Sequence, residues 1–407
     1  CPICCVPNAG PGHLCAIQRT EASLPPRASY PAPGSMLGGT YRLLSKRGEG
    51  GMGVVFEAEH VRLERRVAVK ILRPEFLRDA DAVGRFCREA KTAGRIRHDG
   101  IVEILDVNSE SGGAWYIVME LLQGEDLASL VARTGALPVE RAVAIARQIC
   151  GALAVAHDAG IIHRDIKPAN VFLVDRGDGL DHVKLLDFGI SKLTTGGTTV
   201  TGTGQIVGTP LYMSPEQACG DPSLDHRTDV FAVGTVLYEM LTGHAPFEAP
   251  SAMAVLARLM TQDPEPPSRH DPRVPSWTER IVLRCLARDP DGRFGSSREL
   301  GEALAAGPDG QEQRPAKAAR TVHPEELRVV TVLFATFSPT ALGDHPVPPD
   351  EANRLIDAPL CRTDEIVRRH GGTVLRRFAD GIMAVFGAPS ARGDDAACAV
   401  RAALEIR

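Results

Sequence analysis

The 407-residue sequence lacks any apolar run of the roughly 18 residues that a membrane-spanning helix requires. It also lacks the charged and then apolar amino-terminal segment of a secretory signal. Its net charge of -5 provides no basic field that would attract nucleic acid. These absences predict a cytoplasmic protein that has no membrane span and no nucleic acid among its partners.

A complete zinc-binding pattern is also missing, although the first residues come close to one. Cys1 and Cys4 have the CxxC spacing of a zinc knuckle, and Cys5, His13 and Cys15 could complete a tetrahedral Zn2+ site. The second CxxC of a zinc ribbon is absent, and a Pro- and Ser-rich stretch follows. Residues 1–38 are therefore either a zinc-ribbon remnant or a Pro-rich leader that binds no metal. The other cysteines are scattered, which predicts reduced thiols.

Hydrophobic residues make up 43% and charged residues 24% of the sequence, which is ordinary for a globular protein. The length exceeds that of a single core of ordinary size, so at least two domains are expected. A Pro-, Gly- and Gln-rich stretch at residues 307–322 predicts a linker between residues 39–306 and residues 323–407.

The strongest motif is HRDxKxxN, within residues 162–170, which follows an apolar helical pattern. It places a carboxylate, an ammonium and an amide at fixed offsets in one loop. Asp165 could hold a hydroxyl nucleophile, Lys167 a migrating phosphoryl group and Asn170 a metal ion. A pattern of this length rarely arises by chance, and it resembles the catalytic loop of the protein kinases, which implies phosphoryl transfer.

A glycine-rich motif, GxGxxGxV, lies earlier in the chain between two strand-like runs. Glycines allow the backbone to approach triphosphate oxygens and to present its amide donors. Taken alone, the motif could equally be a glycine-rich hairpin. The candidate phosphate-binding residues in this motif are Gly48, Glu49, Gly50, Gly51, Met52, Gly53 and Val55.

A strand-like segment ending at Lys70 follows, and then an amphipathic helical pattern that contains Glu89. A buried ammonium needs an anionic partner, which Glu89 could supply. These motifs, in this order, resemble those of the bacterial, eukaryote-like serine/threonine protein kinases. The resemblance implies an α+β, bilobal protein kinase fold over residues 39–306, with a small β-rich amino-terminal lobe and a larger helical carboxy-terminal lobe.

The resemblance also implies the ligands and the residues that hold them. Mg-ATP is the expected cofactor, with Mn2+ able to replace Mg2+. Lys70 would contact the α- and β-phosphates, Asp187 of the DFG motif and Asn170 would hold the metal, and Met119 would be the gatekeeper. The remaining expected nucleotide contacts are Ala68, Glu120, Leu122 and Asp126. For Asp126 a helix N-cap role is an equal alternative.

The Thr- and Gly-rich segment after the DFG motif resembles an activation loop. Thr201 and Thr203 have the spacing of activating phosphothreonines in related bacterial kinases, and Arg164 would pair with such an anion. A polar loop without modification is the alternative. Thr209 resembles the threonine that bridges Asp165 and Lys167 and favours Ser and Thr acceptors over Tyr.

Three further residues match scaffold positions of the family. Glu216, in the place of the APE element, would pair with Arg293. Asp229 would brace the catalytic loop.

Residues 323–407 resemble the beginning of a class III adenylate/guanylate cyclase domain, a ferredoxin-like α/β fold. The resemblance implies a first strand near Thr331, an αα stretch and a β-hairpin. Asp380 matches one of the two metal-binding aspartates of that family, but Thr336 stands where the other is expected. A neutral hydroxyl cannot replace a carboxylate against two divalent charges, so this part is expected to lack cyclase activity.

The sequence therefore predicts a serine/threonine protein kinase that uses Mg-ATP, acts on protein substrates and is activated by phosphorylation of its own loop. A homodimer would serve autophosphorylation in trans. The alternatives are a nucleotide-binding pseudokinase scaffold and a kinase–cyclase fusion whose output is a cyclic nucleotide.

Overall fold

The computed structural model describes residues 30–77, 79–110, 114–188, 210–221, 223–308, 331–336, 349–378, 381–387 and 393–407. The chain divides into two compact units. The first runs to Lys91 and includes Glu103–Leu122, while the second contains Thr92–Val102 and the chain from Gln123 onwards.

The first unit is built on a six-stranded antiparallel sheet in the order β1-β2-β3-β4-β6-β5. The strands are β1 (Met36–Leu37), β2 (Tyr41–Glu49), β3 (Gly53–His60), β4 (Arg65–Leu72), β5 (Ile104–Ser109) and β6 (Trp115–Glu120), and helix α1 (Ala80–Ala93) lies between β4 and β5 in sequence.

Each face of this sheet covers its own apolar cluster. One cluster contains Phe56, Val69 and Tyr116, and the side chain of Tyr30 packs against it. The other brings Phe86 of α1 against Ile117 of β6. Because β4 lies inside the sheet and contributes to both clusters, its residues from Val67 to Leu72 are all buried. Apart from Lys70 they are apolar, as expected of a strand covered on both faces.

The second unit begins with a small antiparallel sheet, β7-β8-β9, and continues mainly as helices. Its strands are β7 (Gly124–Asp126), β8 (Val171–Val174) and β9 (His182–Leu185). Its helices are α2 (Leu127–Thr134), α3 (Val139–Asp158), α4 (Pro215–Cys219), α5 (Arg227–Thr242), α6 (Ala252–Thr261), α7 (Pro267–His270), α8 (Ser276–Cys285) and α9 (Ser297–Ala306).

Helices α3 and α5 form the centre of this unit. Helix α3 buries residues such as Ile145, Ile149 and Leu153 at helical spacing. Helix α5 is buried along almost its whole length and ends at Gly243, which adopts the left-handed conformation typical of a helix C-terminus.

The carboxy-terminal part follows the order β10 (Thr331–Thr336), α10 (Pro349–Arg369), β11 (Thr373–Phe378), β12 (Gly381–Phe386) and α11 (Asp395–Ile406). The three strands form an antiparallel sheet in the order β10-β12-β11. This arrangement matches the first five elements of a ferredoxin-like split βαβ unit. Its core joins Val367 of α10, Phe386 of β12 and Ala402 of α11.

One expectation for this part differs from the structure. Where an αα stretch was expected, the described residues 349–372 contain the single helix α10, which continues through Pro359. Pro359 lacks an N–H and breaks only one backbone bond, and its carbonyl still accepts from Thr363 Oγ1 at 2.8 Å. A lone internal proline is therefore compatible with one continuous helix.

Among the residues that the structure describes, none of the helices is long and apolar enough to cross a membrane.

Candidate active site

The glycine-rich motif forms the turn between β2 and β3. Gly50 N donates to Gly53 O at 2.8 Å, which closes the turn. A Cβ at Gly53 would lie 2.5 Å from the carbonyl oxygen of Ile71 on β4, so only glycine fits there. Gly48 and Gly51 face open space. The turn is therefore a hairpin with unobstructed outer glycines, and phosphate binding by it stays a prediction.

Lys70 lies on β4 opposite Val55 of β3 and Ile117 of β6, which places it at the middle of the sheet. Glu89 lies on α1. The side chains are both buried, with Lys70 9% and Glu89 8% exposed. A buried ammonium and a buried carboxylate within one unit are what the predicted ion pair requires, and the pairing itself stays a prediction.

The predicted adenine-binding residues lie at the end of β6. Met119 is paired with Ala68 of β4, and Glu120 is paired with Val67. Glu120 is also tied to Glu103, since its N–H donates to Glu103 O at 3.1 Å and its carboxylate accepts from Glu103 N at 2.8 Å. Leu122 is the last residue of the first unit.

Asp126 caps helix α2. Its carboxylate accepts from Ser129 N at 2.8 Å and from Ser129 Oγ at 2.9 Å. The N-cap alternative is therefore what the structure shows, and a ribose contact stays a prediction.

The second unit brings the three residues of the HRDxKxxN motif together. Asp165 Oδ2 accepts from Lys167 Nζ at 2.9 Å and from Asn170 Nδ2 at 3.1 Å. Asn170 Nδ2 also donates to the carbonyl oxygen of Asp165 at 2.8 Å. A carboxylate beside an ammonium, in a loop closed by an amide, is an arrangement that can orient a hydroxyl and stabilise a transferring phosphoryl group.

A buried carboxylate, Asp229 of α5, holds the backbone of this loop. Its two oxygens accept from His163 N and Arg164 N, each at 2.8 Å. The predicted bracing role of Asp229 matches this geometry. Asp229 also accepts from His157 Nε2 at 2.8 Å, and His157 Nδ1 faces Ser297 Oγ of α9 at 3.3 Å. Because Nε2 must donate to the carboxylate, a neutral His157 leaves Nδ1 to accept from the serine.

The His163 ring joins the catalytic loop to the DFG segment. Its Nε2 donates to the carbonyl oxygen of Leu186 at 3.0 Å, and its Nδ1 accepts from Asp165 N at 3.3 Å. The ring lies 4.5 Å from that of Phe188, which is fully buried. Burial lowers the pKa of His163, and the nearby Asp229 carboxylate opposes this only in part. A neutral ring fits both hydrogen bonds.

Two residues of the site have strained backbones. Arg164 and Asp187 have φ angles of 65° and 46°. Such conformations cost non-glycine residues roughly 1–3 kcal/mol and tend to occur at functional sites. The loop and the start of the DFG motif are joined by Leu186 N, which donates to Asn170 O at 2.9 Å.

The Arg164 side chain contains one buried donor that is not satisfied by the described residues. Its Nε is buried and has no hydrogen-bond partner among the residues that the structure describes. Burial lowers the pKa of this guanidinium, although Asp229 opposes the shift. The pairing of Arg164 with a phosphothreonine stays a prediction. Thr201, Thr203 and Thr209 lie outside the described residues.

Glu216 and Arg293 form the predicted scaffold pair. Arg293 Nη1 and Nη2 donate to the two carboxylate oxygens at 2.7 and 2.8 Å, and the arginine side chain is fully buried. The same guanidinium donates to the carbonyl oxygens of Ala287, Arg227 and Arg288. All its donors are therefore used, as a buried charge requires.

The residues fit the predicted metal. Mg2+ prefers oxygen ligands. Since Asn170 Nδ2 makes both bonds to Asp165, Oδ1 is the atom of that amide that can act as a ligand, and the carboxylate of Asp187 would supply the other. The residues of the predicted Zn2+ site lie outside the described part of the chain, and so does Asp380. Thr336 ends β10, opposite Gly381.

Two residues of the site were missed by sequence reasoning. Arg73 contacts the glycine-rich turn: its Nε and Nη2 donate to Gly50 O at 3.1 and 2.8 Å. The sequence feature that could have indicated this contact is the position of Arg73, a basic residue three positions after Lys70. His157 was treated only as the end of an apolar helix, and its position six residues before His163 was the signal there.

Comparisons with known proteins agree with this geometry. Residues 41–303 match the family model "Protein kinase domain". A β-rich unit, a helical unit and the catalytic-loop geometry define the same class, and the chain belongs to the protein kinase family.

The relatives are bacterial serine/threonine kinases. The chain is 43% identical over 271 residues to the serine/threonine-protein kinase pkn3 of Myxococcus xanthus, covering 65% of this chain and 49% of that protein. It is 40% identical over 263 residues to PknB of Mycobacterium leprae, covering 64% and 42%. The chain thus spans about half or less of the length of these curated relatives.

The crystal structure of the Mycobacterium tuberculosis PknI kinase domain is similar to this chain at 30% identity and a TM-score of 0.53. The match covers 67% of this chain and 98% of that one. The kinase domain is therefore of the bacterial serine/threonine type. The comparisons provide no support for a fused cyclase domain, which stays a prediction.

Proposed function

We propose that this protein transfers the γ-phosphoryl group of Mg-ATP to Ser and Thr hydroxyls of protein substrates. The observation that carries the proposal is the cluster in which Lys167 and Asn170 each hydrogen-bond to Asp165, at donor–acceptor distances of 2.8–3.1 Å. A pseudokinase would be expected to have lost part of this set, and the set is intact.

The residues act mainly by position and charge, as is usual in phosphoryl transfer. Asp165 orients the acceptor hydroxyl and takes its proton, while Lys167 stabilises the charge on the transferring group. Lys70 binds the α- and β-phosphates beneath the glycine-rich turn, and Glu89 positions Lys70. Asp187 and Asn170 would hold Mg2+, whose charge would offset that of the phosphates. Thr209 favours Ser and Thr acceptors.

Activation follows from phosphorylation of Thr201 or Thr203, whose phosphate would pair with Arg164. The buried Nε of Arg164, which has no hydrogen-bond partner among the described residues, supports this step. A homodimer would allow the reaction in trans, in which case the initial rate per molecule rises with protein concentration. The cytoplasm, which supplies ATP, is the proposed location.

The test is incubation with γ-labelled ATP and Mg2+ followed by phosphosite mapping, with Asp165→Asn as the matched variant. Asparagine keeps the shape of the side chain but cannot accept the proton, so turnover should fall by roughly 10²–10⁴-fold while ATP binding is retained. Label on Thr201 or Thr203 in the wild type alone supports the proposal. Bound nucleotide without any transfer to protein would leave a pseudokinase scaffold.

For the carboxy-terminal part we propose a partial class III cyclase-like domain without cyclase activity, with a role in binding or dimerisation. The β10-α10-β11-β12-α11 order supports the fold, and Thr336 argues against two-metal catalysis. In a chain extended past Arg407, Thr336→Asp tests the kinase–cyclase alternative. Metal-dependent cyclic nucleotide made by this variant would support that alternative, and its absence would remove it.

A further inference from the structure

The glycine-rich turn contains an acidic residue where a polyphosphate is expected. Glu49 lies between Gly48 and Gly50 in the motif that the proposed function assigns to ATP. A carboxylate close to the triphosphate would repel it. Binding of ATP therefore requires that the charge of Glu49 be neutralised or turned away.

Two cations contact this carboxylate. Lys46 Nζ lies 2.6 Å from Glu49 Oε2, and Arg73 Nη2 lies 3.0 Å from Oε1. The Lys46 ammonium, and then the Arg73 guanidinium, hold the pKa of Glu49 below its usual range. The carboxylate stays ionised, but each of its oxygens faces a positive charge.

Arg73 also binds the backbone of the turn. Nε and Nη2 of its side chain donate to Gly50 O, and its own N–H donates to Met52 O at 2.9 Å. A peptide carbonyl turned towards phosphate would repel it, whereas peptide N–H groups attract it. The two bonds from Arg73 fix the carbonyl of Gly50 and so oppose a flip of that peptide.

The guanidinium suits this double role. Its planar fork can contact a carbonyl and a carboxylate together, which the single ammonium of lysine does poorly. Its other neighbour is Glu75, at 3.5 Å. Arg73 follows Lys70 by three residues, at the point where β4 leaves the sheet, so the phosphate-binding lysine and the residue that holds the turn come from one short segment.

We infer that Arg73 is a positioning residue for ATP: it fixes the Gly50 peptide and, with Lys46, neutralises Glu49, so that the turn accepts the triphosphate. The inference rests on the proposed function. It concerns phosphate recognition alone and leaves recognition of the nucleoside unchanged.

Calorimetric titration with Mg-ATP and, separately, with adenosine tests this. Arg73→Ala should weaken Mg-ATP binding by about tenfold, the change expected when charge-assisted hydrogen bonds are lost, and should leave adenosine binding within about twofold. Arg73→Lys keeps the charge but loses the planar guanidinium, so its Mg-ATP affinity should lie between those of the wild type and Arg73→Ala. Adding Glu49→Gln to Arg73→Ala should recover part of the loss, because the unneutralised carboxylate is then gone.

The matched control is Arg66→Ala. Arg66 lies on the same strand, but its ion pair is with Glu57 and not with Glu49 or Gly50, so this variant should bind both ligands as the wild type does. Unchanged Mg-ATP affinity in Arg73→Ala, or equal weakening of ATP and adenosine binding, would overturn the inference. The proposed function would still stand in either case, provided that the wild type binds Mg-ATP. A wild type that binds no Mg-ATP would overturn both.

Discussion

The catalytic loop and the glycine-rich turn are held in place by opposite means. The loop backbone is held by Asp229, which is fully shielded from solvent, and the scaffold pair of Glu216 with Arg293 in the same unit is buried as well. The turn is held by charges at the surface, and the Lys46 side chain is 51% exposed. Buried polar groups are costly to leave unpaired, whereas exposed ion pairs contribute little. Substitutions in the buried groups should therefore lower the free energy of unfolding strongly, and substitutions in the exposed pairs should lower it little.

The largest expected effect on stability is that of Arg293→Met. It leaves the carboxylate of Glu216, whose side chain is only 11% exposed, without its partner. The free energy of unfolding should fall by roughly 3–5 kcal/mol, the usual cost of an uncompensated buried charge. Urea denaturation of the two proteins measures it.

The control for that variant is Arg298→Met, which removes the exposed pair with Asp158. It should change the free energy of unfolding by no more than about 1 kcal/mol. Equal losses in the two variants would contradict the division between buried and exposed pairs.

A smaller effect is expected at His157. His157→Leu removes one donor from the buried Asp229 carboxylate and should cost about 1–3 kcal/mol of stability. It should also lower kcat with little change in the Kd for ATP, because Asp229 holds the catalytic loop backbone. His157→Gln can still donate and should restore kcat. If the two variants had the same kcat, His157 would be only a packing residue.

The pH dependence of stability sharpens the comparison further. Burial lowers the pKa of His163 in the folded state, while an unfolded histidine titrates near about 6.5. Below that pH the unfolded state binds a proton that the folded state does not, so stability falls as pH falls, by at most about 1.4 kcal/mol per pH unit.

In His163→Phe this contribution is absent. The stability advantage of the wild type over the variant should therefore narrow between pH 7.5 and pH 5.0 when unfolding is followed by urea denaturation. An advantage that stayed constant over this range would mean that His163 is not neutral when folded.

The smallest effect is expected on the β2–β3 hairpin. Arg47 pairs with Glu57, and Arg66 contacts the same carboxylate from β4. Arg47→Ala should change the free energy of unfolding by less than about 1 kcal/mol, since the arginine is exposed and Glu57 keeps a second partner. A decrease of more than about 2 kcal/mol in the free energy of unfolding, measured by thermal or urea denaturation, would contradict the contrast between buried and exposed pairs.

The sequence was most informative where chemistry requires a fixed spacing along the chain. Asp165, Lys167 and Asn170 lie within six positions of one another, and their geometry could be anticipated from the loop alone. The pairing of Glu216 with Arg293 and the bracing by Asp229 could be anticipated only through the family resemblance, because these contacts join residues that are 77 and 66 positions apart.

The contacts of Arg73 and His157 could not be predicted in the same way. Whether Arg73 turns towards the glycine-rich motif depends on the register of β3 against β4, where Gly53 pairs with Leu72. The role of His157 depends on which turn of α3 faces Asp229. Side-chain direction of this kind is set by packing rather than by local pattern. The continuity of α10 through Pro359 is a similar case, in which tertiary structure outweighs propensity.

The bond between Ser297 and His157 has a practical consequence for dividing the chain. Helix α9 begins at Ser297 and is the last helix of the kinase match, which ends at residue 303. A recombinant fragment that stopped before Ser297 would keep every motif residue, yet it would remove the hydroxyl that faces His157. Fragments intended for enzymology should therefore run at least to Ala306, and a comparison of fragments ending on either side of α9 would measure how far the catalytic loop depends on a helix that carries none of its chemistry.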